Sequence, residues 1–134
     1  MAQSRYIERQ NAMIVVYIHL MNEQPIKEIL HDNKFVSEVG SFIPSFSLKE
    51  EMLEVVLTVA QRKETYARAM DQSLDKWRFD RLGYLEQPIL LLACAELELG
   101  YQDPVIIVNE AIRLAKEYCD SDSYKLVNGV LDQL

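Results

Sequence analysis

A chain of 134 residues with 49% hydrophobic content is sized for one domain with a continuous core, residues 1–134, and no linker is long enough to divide it. The formal charge of -7 repels phosphate at long range, which disfavours a nonspecific nucleic-acid binder; any RNA contact has to be local or shared with a basic partner. The longest apolar run, Ile89 to Ala95, is far shorter than the roughly 20 residues a membrane span needs, and MAQSRYIERQ has no signal-peptide form, so a soluble cytoplasmic protein is expected.

Glycine and proline number four each and the apolar residues recur at three and four spacings, which predicts an all-α fold. In the first segment Ile7, Ile14, Ile18 and Met21 make one stripe and Met13, Val16, Tyr17 and Leu20 another, predicting a helix over about Ser4 to Met21. Asn22 to Pro25 breaks it, a short helix follows from about Ile26, and Glu38 to Phe46 reads as a loop. Ser47 and Glu50 form a capping-box pair that opens a long helix ending near Met70, with Leu48, Met52, Val55, Val59, Tyr66 and Met70 on one face. A second short helix is expected around Leu74 to Trp77.

Pro88 fits only a first helical turn, so the next helix starts between Tyr84 and Gln87 and Gly100 closes it. Its centre is apolar all round and belongs in the middle of the core. Asp103-Pro104 is an N-cap with proline at N1, and Val105, Val108, Ile112 and Ala115 join Ile107, Ala111, Leu114 and Tyr118 as the buried side of the helix it opens. The last helix spans Asp122 to Leu134, with Gly129 inside it as a glycine kept for close helix packing.

Chemistry-bearing patterns are sparse. His19 and His31 do not form a base-nucleophile-orienter set, and nothing matches GxSxG, HExxH, a P-loop or GxGxxG, so no enzyme activity, cofactor or metal is expected. Cys94 and Cys119 sit in apolar helical surroundings as inert thiols. Glu96 and Glu98 read as solvated or packing-edge charges, and Trp77, Tyr84, Tyr66 and Phe79 as core and core-edge aromatics rather than base-stacking groups. Basic side chains gather at Arg5 with Arg9, at Lys76, Arg78 and Arg81, and at Lys125 near a helix N-terminus where anions are welcome.

EQPILLLACAEL from Glu86, DPVIIVNEAIRLAKEY from Asp103 and SDSYKLVNGVLDQL from Ser121 together resemble the NusB family, whose signature is close to NEA-x-x-LAK, a short acidic-serine loop and K-x-VNGVLD. The rest of the chain shares the helical plan, with Ala12 and Tyr17 at matching places in the first helix. The resemblance implies about seven helices in two small bundles that share a face. It also implies a transcription antitermination factor that pairs with the ribosomal protein acting as NusE and binds single-stranded boxA-type RNA, reaching RNA polymerase indirectly, as a monomer or a homodimer. On that resemblance Arg5, Arg9, Asp122, Tyr124, Lys125 and Asn128 face RNA, and Tyr17 and Glu86 face the protein partner.

The sequence departs from the family pattern in two ways. Tyr6, Ile7 and Glu8 stand between Arg5 and Arg9 where the family has a dense arginine cluster. Leu91 and Ala95 replace an arginine and a tyrosine of the family's central helix. A diverged adapter that keeps the protein partner but binds RNA weakly is therefore the alternative. A helical module of the kind that precedes the catalytic half of RNA cytosine methyltransferases is a further rival, disfavoured because no cofactor-binding half follows.

Overall fold

The computed structural model describes residues 5–31, 48–73 and 78–133, and within them all regular structure is helical. The helices are α1 (Arg5–Asn22), α2 (Ile26–His31), α3 (Glu50–Ser73), α4 (Glu86–Leu99), α5 (Pro104–Tyr118) and α6 (Ser123–Asp132), with a 3-10 turn over Phe79–Arg81 before α4. The turn has no counterpart in the sequence reading. The expected loop at Glu38 to Phe46, Ser47 of the capping box, and the expected helix at Leu74 to Trp77 lie outside the described residues.

Helices α1, α2 and α3 pack on one another, and α4, α5 and α6 do the same. Helix α4 joins the two groups, because it packs against α1 and α3 on one side and α5 and α6 on the other. That position explains its composition. Every residue from Pro88 to Glu96 is buried, so an apolar surface on all sides is what the site requires.

Helix boundaries follow local chemistry. Glu23 takes φ 55 just after α1, a left-handed conformation that ends the helix. Gly100 does the same for α4 at φ 72, its amide returning to the Glu96 carbonyl. The Asp103 carboxylate accepts the Val105 amide at 2.9 Å, with Pro104 at N1 where a missing amide costs nothing. The start of α3 has a tertiary cap: the buried Glu8 carboxylate, on α1, accepts the Lys49 amide at 3.1 Å. An anion there also suits the positive end of the helix dipole.

Three expectations about faces need correction. On α1 the buried stripe is Ala12, Met13, Val15 and Val16 together with the polar Glu8, Arg9, Asn11 and His19, while Met21 is exposed. Glu8, Arg9 and His19 are tolerated there because each has a partner: Glu8 accepts the Lys49 amide, Arg9 bonds Glu96, and His19 Nδ1 sits 2.6 Å from the Gln24 carbonyl with its Nε2 2.8 Å from Lys63 Nζ. On α5, Ile107, Ala111, Leu114 and Ala115 are buried, but Val105 is 66% exposed and Tyr118 is also exposed.

Gly129 is the third. It is exposed, and a Cβ built on it meets nothing within 4 Å, so close packing is not what keeps it glycine. Its helical backbone can accept alanine without strain. Gly129→Ala is expected to raise unfolding stability by about 0.5–1 kcal/mol, read as an upward shift of the urea midpoint at constant m. A midpoint at or below that of the parent would mean this glycine has a contact or conformational role that its surroundings hide.

Candidate nucleic-acid interface

The two arginines of the first turn part company. Arg5 reaches solvent but ion-pairs with Glu51 on α3 at 2.6 Å, beside a groove lined by Glu8, Lys49, Glu50 and Glu51. Its charge is thus offset by carboxylates. Arg9, expected at the RNA surface, is 2% exposed and points into the core, where Nε and Nη2 bond both oxygens of the Glu96 carboxylate at 2.8 and 2.7 Å. The correction has a physical cause: the fork geometry of a guanidinium matches one carboxylate, and α4 presents that carboxylate at the depth of Arg9. Glu96 is correspondingly no solvated charge. Glu98 is, ion-pairing with Arg62 at 2.6 Å while accepting the Tyr66 hydroxyl.

Helix α5 supplies cations that the first turn lacks. The Arg113 guanidinium lies 3.6 Å from the centroid of the Tyr6 ring, and the Tyr6 hydroxyl donates to Glu117. Burial first, and then the Glu117 carboxylate, hold that hydroxyl above its ordinary pKa, so it remains a donor. Gln10 adds a bond to the Tyr118 hydroxyl at 2.9 Å. Three residues along from Arg113, the Lys116 ammonium stands 4.8 Å from the Tyr124 ring on α6.

At about 100° per residue, Lys116 and Glu117 fall on opposite flanks of Arg113. Helix α5 therefore holds the first turn of α1 on one flank and the first turn of α6 on the other, and two stretches at opposite ends of the chain border one solvent face. Sequence reasoning singled out neither Arg113 nor Lys116. The signal available was their spacing of three on a helix whose other side is apolar.

On α6, Asp122, Lys125 and Asn128 are exposed and Tyr124 is half-buried beneath Lys116. Lys125 and Asp122 approach at 3.7 Å, a contact this exposed pair gives up readily to a stronger partner. These four expected residues thus share one short helix start. Tyr17 is half-buried on α1, roughly 12 Å along the helix from Arg9. Glu86, at the start of α4, accepts the Gly83 amide at 2.7 Å and the Ser123 hydroxyl at 2.6 Å.

The other basic cluster is diluted. Arg78 lies 3.9 Å from both Asp71 and Asp80, Arg81 is exposed, and Lys76 lies outside the described residues. Of the aromatics weighed as stacking groups, Tyr66 and Phe79 are buried, Tyr84 is 68% exposed, and Trp77 lies outside the described residues. Burial pushes the Cys94 thiol up to about 12, and burial with Glu86 and Asp120 pushes the Cys119 thiol up to about 11, so both are protonated and poorly nucleophilic near neutral pH. Among the described residues no group of three or more His, Cys, Asp and Glu could hold a metal ion, and no helix is long and apolar enough to cross a membrane.

Comparison with known proteins gives one consistent result. The model of the NusB family matches residues 7–134. A transcription antitermination protein NusB of Crocosphaera subtropica is 32% identical over 94 residues, covering 70% of this chain and 45% of that protein. The protein of the same name from Burkholderia cenocepacia is 42% identical over 87 residues, covering 63% and 59%. The chain thus spans about half the length of the curated relatives it matches. A crystal structure of antitermination factors NusB and NusE in complex with dsRNA contains a chain that superposes with a TM-score of 0.78 at 26% identity, covering 98% of this chain and 96% of that one. T. maritima NusB superposes at 0.76 with 23% identity, covering 99% and 91%, a likeness of fold.

Proposed function

The chain belongs to the NusB family, and we propose that it is a non-enzymatic antitermination factor that binds boxA-type single-stranded RNA jointly with a basic ribosomal-protein partner of the NusE kind. The observation that carries this reading is the solvent face of α5, bordered by the first turns of α1 and α6. There the Arg113 guanidinium covers the Tyr6 ring, the Lys116 ammonium covers the half-buried Tyr124 ring, and Lys125 is exposed next to Tyr124 in the chain. Cations beside an aromatic ring suit a single strand, whose phosphates need positive charge and whose bases need a stacking surface. Asp122 and Asn128 supply an acceptor and an amide for base edges, and Arg5 becomes a phosphate contact when it leaves Glu51. Tyr17 and Glu86 are the proposed partner-facing residues. RNA polymerase is reached through the assembled complex.

The charge balance sets the mechanism. Glu110, Glu117 and Asp122 stand beside the cations of this face, and the chain carries -7 overall, so the lone protein holds RNA weakly. A basic partner neutralises acidic surface and adds its own phosphate contacts, so the complex binds far more tightly than either protein alone.

Titration of a boxA-type oligonucleotide over a salt series, with and without partner, tests this. Replacing Lys116 and Lys125 by alanine together is expected to flatten the salt slope of the complex by about one to two units and weaken binding at low salt. A double variant with the parent slope would mean that α5 and α6 do not meet phosphate. One observation favours a second reading, a protein adapter with little RNA affinity: Arg9 is buried and Arg5 is paired, which leaves the first turn without a free guanidinium. Partner affinity unaffected by RNA, with no RNA retained by the complex, would select it.

A further inference from the structure

Helix α6 carries the proposed RNA-facing residues, yet it lacks a cap of its own. Asp122 stands at the N-cap position with no side-chain bond to the helix amides. What fixes the first turn comes from another helix. Ser123, the first residue of α6, is buried and donates its hydroxyl to Glu86 Oε2 at 2.6 Å, while Glu86 Oε1 accepts the Gly83 amide at 2.7 Å. A hydroxyl-to-carboxylate bond of that length is charge-assisted and stronger than a neutral one.

The turn before α4 is wound around the same carboxylate. A Cβ on Gly83 would come within 3.1 Å of Glu86 Oε1, and Gln87 closes the turn by bonding the Gly83 carbonyl with its amide and the Leu82 carbonyl with its side chain. Glu86 and Ser123 together line two adjoining grooves, one with Tyr84, Tyr118 and Asp120 and the other with Arg81, Asp122 and Leu126. Movement of this carboxylate therefore reaches both the end of α4 proposed to face the protein partner and the turn that presents Asp122, Tyr124 and Lys125.

We infer that Glu86 is a positioning residue for RNA: through Ser123 it sets the first turn of α6, and so couples the protein-partner end of α4 to the RNA-facing side chains. This rests on the function proposed above and assigns Glu86 a task besides direct partner contact. A partner that bonds Glu86 in its present rotamer would stiffen the α6 turn, and so favour RNA binding without touching RNA at that point.

The test measures affinity for a boxA-type single-stranded oligonucleotide by the complex with the ribosomal-protein partner, using Glu86→Ala, Ser123→Ala, the double variant and Ser123→Thr. Thermal unfolding is followed in parallel to show that each is folded. Each alanine variant is expected to bind roughly tenfold more weakly, as loss of a hydrogen bond to a charged group predicts. The double variant should be no weaker than the worse single one, because both remove the same link. Ser123→Thr keeps the hydroxyl and should bind like the parent. Parent affinity for Ser123→Ala, additive losses in the double variant, or failure of Ser123→Thr to restore binding would overturn the coupling alone. A parent complex that does not hold the oligonucleotide would overturn the proposed function, and this inference with it.

Discussion

Arg9→Met is expected to destabilise the protein by about 3–5 kcal/mol, the usual cost of removing one partner from a buried ion pair. The reason lies in what remains. Glu96 would keep a carboxylate among Ile89, Leu92, Ala93, Ile107, Ala111 and Leu114 with neither of its guanidinium bonds. The double variant Arg9→Met/Glu96→Leu should recover most of the loss, since apolar groups of similar volume replace buried ion pairs at little cost. Urea unfolding at constant m measures both changes. If Arg9→Met unfolds at the parent midpoint, the guanidinium is not held in the core, and Arg9 returns to the list of RNA contacts. The distinction matters for any RNA assay. A loss of binding in an Arg9 variant reports a weakened core unless the variant is shown to be folded.

Leu92→Asp should leave the protein unfolded at room temperature. Leu92 is 2% exposed at the centre of α4 and lines the same apolar surroundings as the Arg9–Glu96 pair. Arg9 is already held through Nε and Nη2 by the Glu96 carboxylate, whose charge it neutralises, so it does not supply a second counter-charge for a new carboxylate. A new buried carboxylate without a partner costs several kcal/mol on top of the lost apolar burial, against a total stability for a chain of this length of about 7–20 kcal/mol. Leu92→Ala removes only the burial and should cost about 2–5 kcal/mol, giving a folded control. Circular dichroism and melting temperature separate the three proteins. A helical Leu92→Asp variant that melts with the parent would place α4 at the surface and dismantle the core described here.

Local sequence determined the helical class and most helix boundaries, because these depend on residues within a turn or two of one another. Asp103 before Pro104, Gly100 after α4, and Pro88 inside its first turn act on neighbouring amides and carbonyls, whatever else surrounds them. The burial of α4 was legible for the same reason: a helix apolar all round has one stable place to go. The C-terminal candidates Asp122, Tyr124, Lys125 and Asn128 came from the family resemblance, and they fall close together because they lie within two turns at the start of one helix.

Tertiary structure alone decided which charges are available. Arg9 and Glu96 are 87 residues apart, and nothing near either one signals that a guanidinium will meet a carboxylate in the core. The same holds for Glu8 capping α3 and for Ser123 bonding Glu86. It holds also for the arrangement in which α5 carries Arg113 beside α1 and Lys116 beside α6. Periodicity shows which residues share a face of a helix but not what that face meets. Whether a charge is buried, spent on a neighbour or free for RNA is set by groups brought from elsewhere in the chain, since the free energy of a charge depends on its partners and its access to water.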